Sequence, residues 1–135
     1  MKKNKGFTLI EIMLVVIILG ILAAMVVPKL TGRSDEARRS VAKTDIESNL
    51  ALAIDLFDVD TGEYPSSLED LSKAPASATN WKGPYVKKLP RDPWSHSYVY
   101  KYPGEHNTDG YDLYSLGKSG TEGGSDIIGN WNESK

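Results

Sequence analysis

The run FTLIEIMLVVIILGILAAMVVPKL, Phe7 to Leu30, constrains this chain more than any other stretch: it is apolar almost throughout and carries a single carboxylate, Glu11, near its start. A helix needs about 20 mostly apolar residues, at about 1.5 Å of rise each, to cross a bilayer. Phe7 to Val27 supplies that length. An acidic group at the centre of such a helix carries a penalty of about 2.5–3.5 kcal/mol, so it asks for a positive partner. Between Phe7 and Val27 there is none, and Lys2, Lys3 and Lys5 lie upstream, where the positive-inside rule keeps them in the cytoplasm. A cut between Gly6 and Phe7 would create a partner, because the new α-amino group of Phe7 sits one helical turn from Glu11. The alternative is an uncut anchor whose Glu11 lies shallow enough to reach the interface.

An ordinary secretory signal has a shorter apolar core followed by a small-residue cleavage site. Here the run is too long and Ala23-Ala24-Met25 is not that site, so only residues 1–6 read as a removable leader. The residues Lys5-Gly6-Phe7-Thr8-Leu9-Ile10-Glu11 resemble the cleavage region of type IV prepilins and type II secretion pseudopilins. The resemblance implies that a prepilin peptidase cuts between Gly6 and Phe7 and methylates the Phe7 amine. It also implies that Glu11 pairs with the N-terminus of a neighbouring subunit during assembly. Such pairing is physically sensible, since an unpaired carboxylate and an unpaired ammonium are each costly in lipid.

The 135-residue length allows one small domain beside this helix. A formal net charge of −2 leaves no basic footprint, so nucleic acid is not an expected partner. Cysteine is absent, so the folded part is held without disulfides, and a metal or oligomer contacts could substitute.

Downstream, Pro28 lacks an N–H and clashes with the carbonyl four residues back, which predicts a kink near Ala24 in a helix that continues beyond it. From Asp35 the apolar positions Ala42, Ile46, Leu50, Ala53 and Phe57 recur at helical spacing, with Leu52 and Leu56 expected to broaden the same face. Arg38, Arg39, Lys43, Asp45, Glu47 and Asp55 lie mostly off that stripe, as a solvated or subunit-facing surface would. Gly62 predicts a helix end at about Asp60. Prolines then punctuate residues 61–96, which predicts an ordered loop with one helical turn, Ser67 to Leu71. Its expected anchors are Tyr64, Leu68, Leu71, Trp81, Tyr85, Leu89 and Trp94. Three short strands follow: Tyr98 to Tyr102, Tyr111 to Leu116, and Ile127 to Trp131 after a glycine-rich loop. The expected fold is therefore α+β, a long N-terminal helix packed on a small antiparallel sheet. Its first half, 7–30, would span the membrane; its second, 31–60, would be amphipathic; 61–135 would form the globular part.

The order TGEYPSSLEDL, GPYVKKLPRDPW, GYDLYSLG and IGNW is similar to the major pseudopilin family of type II secretion systems, over nearly the whole chain. A type IVa pilin would also carry a disulfide-closed region, and no cysteine is present. The resemblance implies a pilin-like fold in a structural, non-catalytic subunit of a periplasmic pseudopilus that drives protein export. It implies a single-pass inner-membrane protein whose partners are further copies of itself, minor pseudopilins, the prepilin peptidase and the inner-membrane assembly platform. Phe7, Glu11 and Pro28 would serve assembly, Pro28 with Gly20 by letting the helix stretch locally. It further implies a calcium loop after SLG, with Asp126 as a carboxylate ligand, the Leu116 carbonyl beside it, and Ser119 where the family has aspartate. Glu122 is available to compensate. A type IV pilin used for adhesion or motility, or a membrane-tethered periplasmic enzyme or binding domain, are the alternatives.

His96 and His106 with Asp92 and Asp109 invite a metal or hydrolytic reading, but neither histidine shows the spacing of a zinc motif. They read as turn residues. No nucleophile elbow, P-loop or dinucleotide fingerprint occurs.

Overall fold

Helix dominates the first half of the chain, and short strands fill the second. The computed structural model describes Met1 and residues 6–131, with the side chains of 26–31 also outside the described residues. The chain divides into two compact units, Met1–Ala37 and Arg38–Lys135.

In the first unit, α1 (Leu9–Thr44) begins, and it continues into the second. Thr8 opens it: its carbonyl accepts from the Glu11 and Ile12 N–H groups, and its hydroxyl accepts from the Glu11 N–H at 3.3 Å. That is an N-cap of the ordinary kind. The helix is unbroken through Pro28. The Pro28 side chain, and with it the kink expected near Ala24, lies outside the described residues. Large apolar side chains from Leu9 to Met25 are exposed on every side of this helix. A helix apolar all round is stable only under cover of lipid or other helices. Among the described residues no helix is long and apolar enough to cross a membrane; the described side chains of the run stop at Met25.

In the second unit the helix changes its winding. A π-helical segment, Asp45–Leu50, separates α1 from α2 (Ala51–Thr61). Bonding from i to i+5 turns the chain less per residue than an α-helix does. Residues four apart, Ala42, Ile46, Leu50 and Ile54, therefore stay in line, and all four are buried. Leu52 and Leu56, expected to widen this stripe, are instead 61% and 46% exposed. Each lies two positions from buried Ile54 on α2, about 200° around an α-helix, and so falls on its opposite side. Thr61 is the last residue of α2, and Gly62 follows at φ 84°, donating its N–H to the Asp58 carbonyl.

The loop region is held by backbone and ring donors. The Asp70 carboxylate accepts from the Ser66 and Ser67 N–H groups, fixing the short 3₁₀ turn Leu68–Leu71. The Leu71 carbonyl accepts from Tyr85 and Val86, and the Trp81 indole donates to the Asp70 carbonyl. Tyr85 donates to Asp60, Tyr98 to Asp45 and Tyr100 to the Pro65 carbonyl, each at 2.8–2.9 Å. Burial raises the pKa of Tyr98 and Tyr100, so both remain neutral donors.

The sheet has the order β1-β2-β3, antiparallel throughout, with β1 Val99–Lys101, β2 Asp112–Ser115 and β3 Ile128–Gly129. Val99 pairs with Tyr114, which pairs in turn with Gly129. Each strand is shorter than its apolar run in the sequence, because the flanking residues leave the ladder for turns. The central β2 is buried along its length. Its Leu113 meets Ile46, Leu50, Ala53, Ile54 and Phe57 of the helix, with Leu68, Leu71 and Tyr98, in one core. Tyr64, Trp81, Tyr85 and Leu89 pack on its margin.

Candidate functional site

Gly6 and Phe7 precede the helix and are exposed, Phe7 by 79%. Glu11 lies in the first turn of α1 and is exposed. A carboxylate there is favoured by the helix dipole. Gly6 and Phe7 are thus exposed one turn ahead of an acid on an apolar helix.

At the other end, β2 leads into the glycine-rich loop 117–126. The Ser119 hydroxyl approaches the Leu116 carbonyl to 3.5 Å and the Thr121 hydroxyl to 3.4 Å. These two expected donors do come together. Asp126 sits with its Cβ and carbonyl over the Cα of Gly117, so tightly that a Cβ on Gly117 would collide with it. Glu122 lies toward the Tyr114 hydroxyl, at 3.5 Å. Calcium takes six to eight oxygen donors, weighted toward carboxylates. Among the described residues no three Asp, Glu or His side chains converge. The oxygens that meet here are the Ser119 and Thr121 hydroxyls and the Leu116 carbonyl, with no carboxylate among them, and such a set does not fit a calcium site.

The two histidines serve separate places. His106 Nδ1 lies 3.0 Å from Asp112 Oδ2, and its ring stacks on Trp131 with centroids 3.9 Å apart. Asp112 is 1% exposed and gathers the N–H groups of Glu105, His106 and Asn107. Burial pushes its pKa up, but the His106 and Asn107 backbone donors, with the His106 ring and Glu105 N–H, outweigh that and hold it below the usual value. Sequence reasoning missed Asp112; its signal was an acid opening a strand five to seven residues after a turn it could cap. Asp109, in the hairpin turn, belongs to neither histidine's contacts.

His96 lies against a buried carboxylate, Asp92, which is 4% exposed. Asp92 Oδ1 accepts from the Trp94 and His96 N–H groups, and Oδ2 accepts from the Ser115 hydroxyl. Ser115 accepts in turn from the Gly117 N–H, and the His96 ring donates from Nδ1 to the Gly117 carbonyl at 3.1 Å. This polar knot ties the 91–97 turn to the start of the glycine loop. It offers no nucleophile with a free base and no cleft for a substrate.

An apolar helix with one acid in its first turn, and a unit whose own helix packs on a small antiparallel sheet, are the parts of a pilin-like subunit. Comparison with known proteins fixes the class more narrowly. Residues 29–131 match the family model "Type II secretion system (T2SS), protein G", and residues 1–27 match the "Prokaryotic N-terminal methylation motif". Type II secretion system core protein G of Pseudomonas aeruginosa is 51% identical, with 96% of each chain covered. That of Vibrio cholerae is 43% identical over 98% of this chain and 94% of its own. The crystal structure of the major pseudopilin from the type 2 secretion system of enterohaemorrhagic Escherichia coli matches with a TM-score of 0.68 and 29% identity, covering 78% of this chain and 95% of that one. The chain belongs to the type II secretion system protein G family, the major pseudopilins. It is a structural subunit of the pseudopilus and not an enzyme. Family and motif together imply a membrane-anchored periplasmic protein, processed at its N-terminus and assembled into a filament.

Proposed function

We propose that prepilin peptidase cuts this chain between Gly6 and Phe7 and methylates Phe7. The mature protein then waits as a single-pass inner-membrane protein with its folded unit in the periplasm. There it polymerises with copies of itself, in company with minor pseudopilins and on the inner-membrane assembly platform, and filament growth drives export. One observation carries the reading: the apolar side chains of Leu9 to Met25 are exposed around the whole helix, and Glu11 makes no ion pair among the described residues.

That surface needs cover in both states. Lipid covers it before assembly and neighbouring helices cover it afterwards, so transfer between the two exposes little apolar area to water. Glu11 gives the transfer a direction, since the Phe7 ammonium of an arriving subunit matches its charge. Methylation of that amine keeps the charge. Pro28 and Gly20 supply points at which the helix can extend as it leaves the bilayer.

Glu11→Ala tests this. Insertion and leader cleavage should persist while filament formation falls steeply, read by fractionation and by electron microscopy of sheared filaments. Filaments of normal number and length in that variant would refute the pairing.

A further inference from the structure

We propose that the glycine loop 117–126 of this chain is closed by the His96 imidazole acting as a structural wedge, in place of a calcium ion. The site a cation would need is already engaged from within. The carbonyl of Gly117 is taken by the His96 Nδ1–H, and its N–H is taken by Ser115. Ser115 is held by buried Asp92, whose other oxygen holds the backbone N–H of His96. The contacts form a closed ring through four residues, His96, Gly117, Ser115 and Asp92.

Gly120 completes the seat. Its φ of +67° is one that side chains rarely adopt, and a Cβ there would lie 2.8 Å from His96 Nε2 and 2.9 Å from Cε1. The imidazole therefore occupies the space beneath the loop, against bare backbone. A divalent ion organises such loops by drawing carboxylates and carbonyls inward. Here the position that would carry a carboxylate is Ser119, whose hydroxyl instead meets the Leu116 carbonyl and Thr121. Asp126 contributes packing over Gly117. The ring nitrogen's N–H points toward loop carbonyl oxygen, where a cation would be repelled.

The experiment uses the full chain in detergent micelles and follows thermal unfolding by tryptophan fluorescence, together with protease nicking within residues 117–125. The wild-type midpoint should be the same in millimolar calcium chloride and in EDTA. His96→Ala should be nicked about tenfold faster than wild type, as expected of a loop whose local opening has become easier. A calcium site filled at about 100 times its Kd would raise the midpoint by roughly ten degrees. A rise of that order in the wild type would overturn the proposal, and so would His96→Ala nicked at the wild-type rate. If His96→Ala fails to fold, the wild-type calcium arm still decides.

Discussion

Replacing Ile54 by alanine and, separately, Leu52 by alanine tests which face of α2 enters the core. Ile54 is 0% exposed and Leu52 is 61% exposed. Both are large aliphatic residues on α2, two positions apart. Removing a fully buried isoleucine side chain leaves a cavity among Leu50, Phe57 and Leu113, and such truncations destabilise by about 2–5 kcal/mol. Taking a central loss of about 3 kcal/mol and a shift of about 4–8 °C per kcal/mol for a domain of this size, the midpoint should fall by roughly 12–24 °C. Leu52→Ala removes a side chain that touches little and should stay within about 0.5 kcal/mol of wild type. Trp81, Trp94 and Trp131 all belong to the Arg38–Lys135 unit, so their fluorescence reports its unfolding directly. The chain should be dispersed in detergent, so that filament neighbours do not cover Leu52. Equal losses, or a larger loss from Leu52→Ala, would show that the face bearing Ile54 is not the one packed on the sheet and would refute the reasoning.

Asp112→Asn should destabilise the folded unit by about 2–4 kcal/mol at neutral pH, because the amide presents a donor to N–H groups that now share a carboxylate. Since the folded Asp112 pKa lies below its ordinary 3.8, the wild type holds this contribution above that value and loses it as pH falls through the folded pKa. Acid titration of the melting midpoint should show that decline in the wild type and a flatter course in the variant. Gly120→Ala should cost about 2–4 kcal/mol, from its left-handed backbone and from the collision with His96. Gly123→Ala, at φ +77° but with open space around it, should cost only about 1–2 kcal/mol, and chemical denaturation of the two variants distinguishes them.

What the sequence makes legible follows from how local the determining forces are. The N-terminal motif can be read because a run of apolar residues with one acid, Glu11, poses its electrostatic problem without any tertiary contact. Ala42, Ile46, Leu50, Ala53 and Phe57 can be read because helical spacing alone brings them to one side. Ile54 and Leu52 are similar aliphatic residues on either flank of the stripe, and the choice between them depends on which flank meets Leu113 and Leu71, which residue type does not announce. The three strands are legible from their aromatic and β-branched residues, but their ends depend on where the ladder partners stop. Asp112 reads as a surface acid, and only the hairpin's return brings three N–H groups onto it. His96 reads as a turn residue for a similar reason. Its partners, Gly117 and Gly120, are more than twenty positions away and show no side chain to mark the contact.

Magnitudes also explain why the helix of the first unit leads to a filament and not to a closed dimer. A carboxylate in the first turn of α1 gains about 0.3–1 kcal/mol from the helix dipole. Against a penalty of about 2.5–3.5 kcal/mol for an acid deep in lipid, that gain is too small. A cation must supply the remainder, and in the mature chain the proposed one is the Phe7 ammonium of a neighbour. Each subunit would then offer two different groups, its own Glu11 to one neighbour and its own Phe7 amine to another. A contact between unlike patches is heterologous, and unless its rotation closes into a ring it propagates without end. Removing Glu11 leaves the apolar surface intact and the subunit in lipid, so the loss should appear in polymer length before it appears in membrane content.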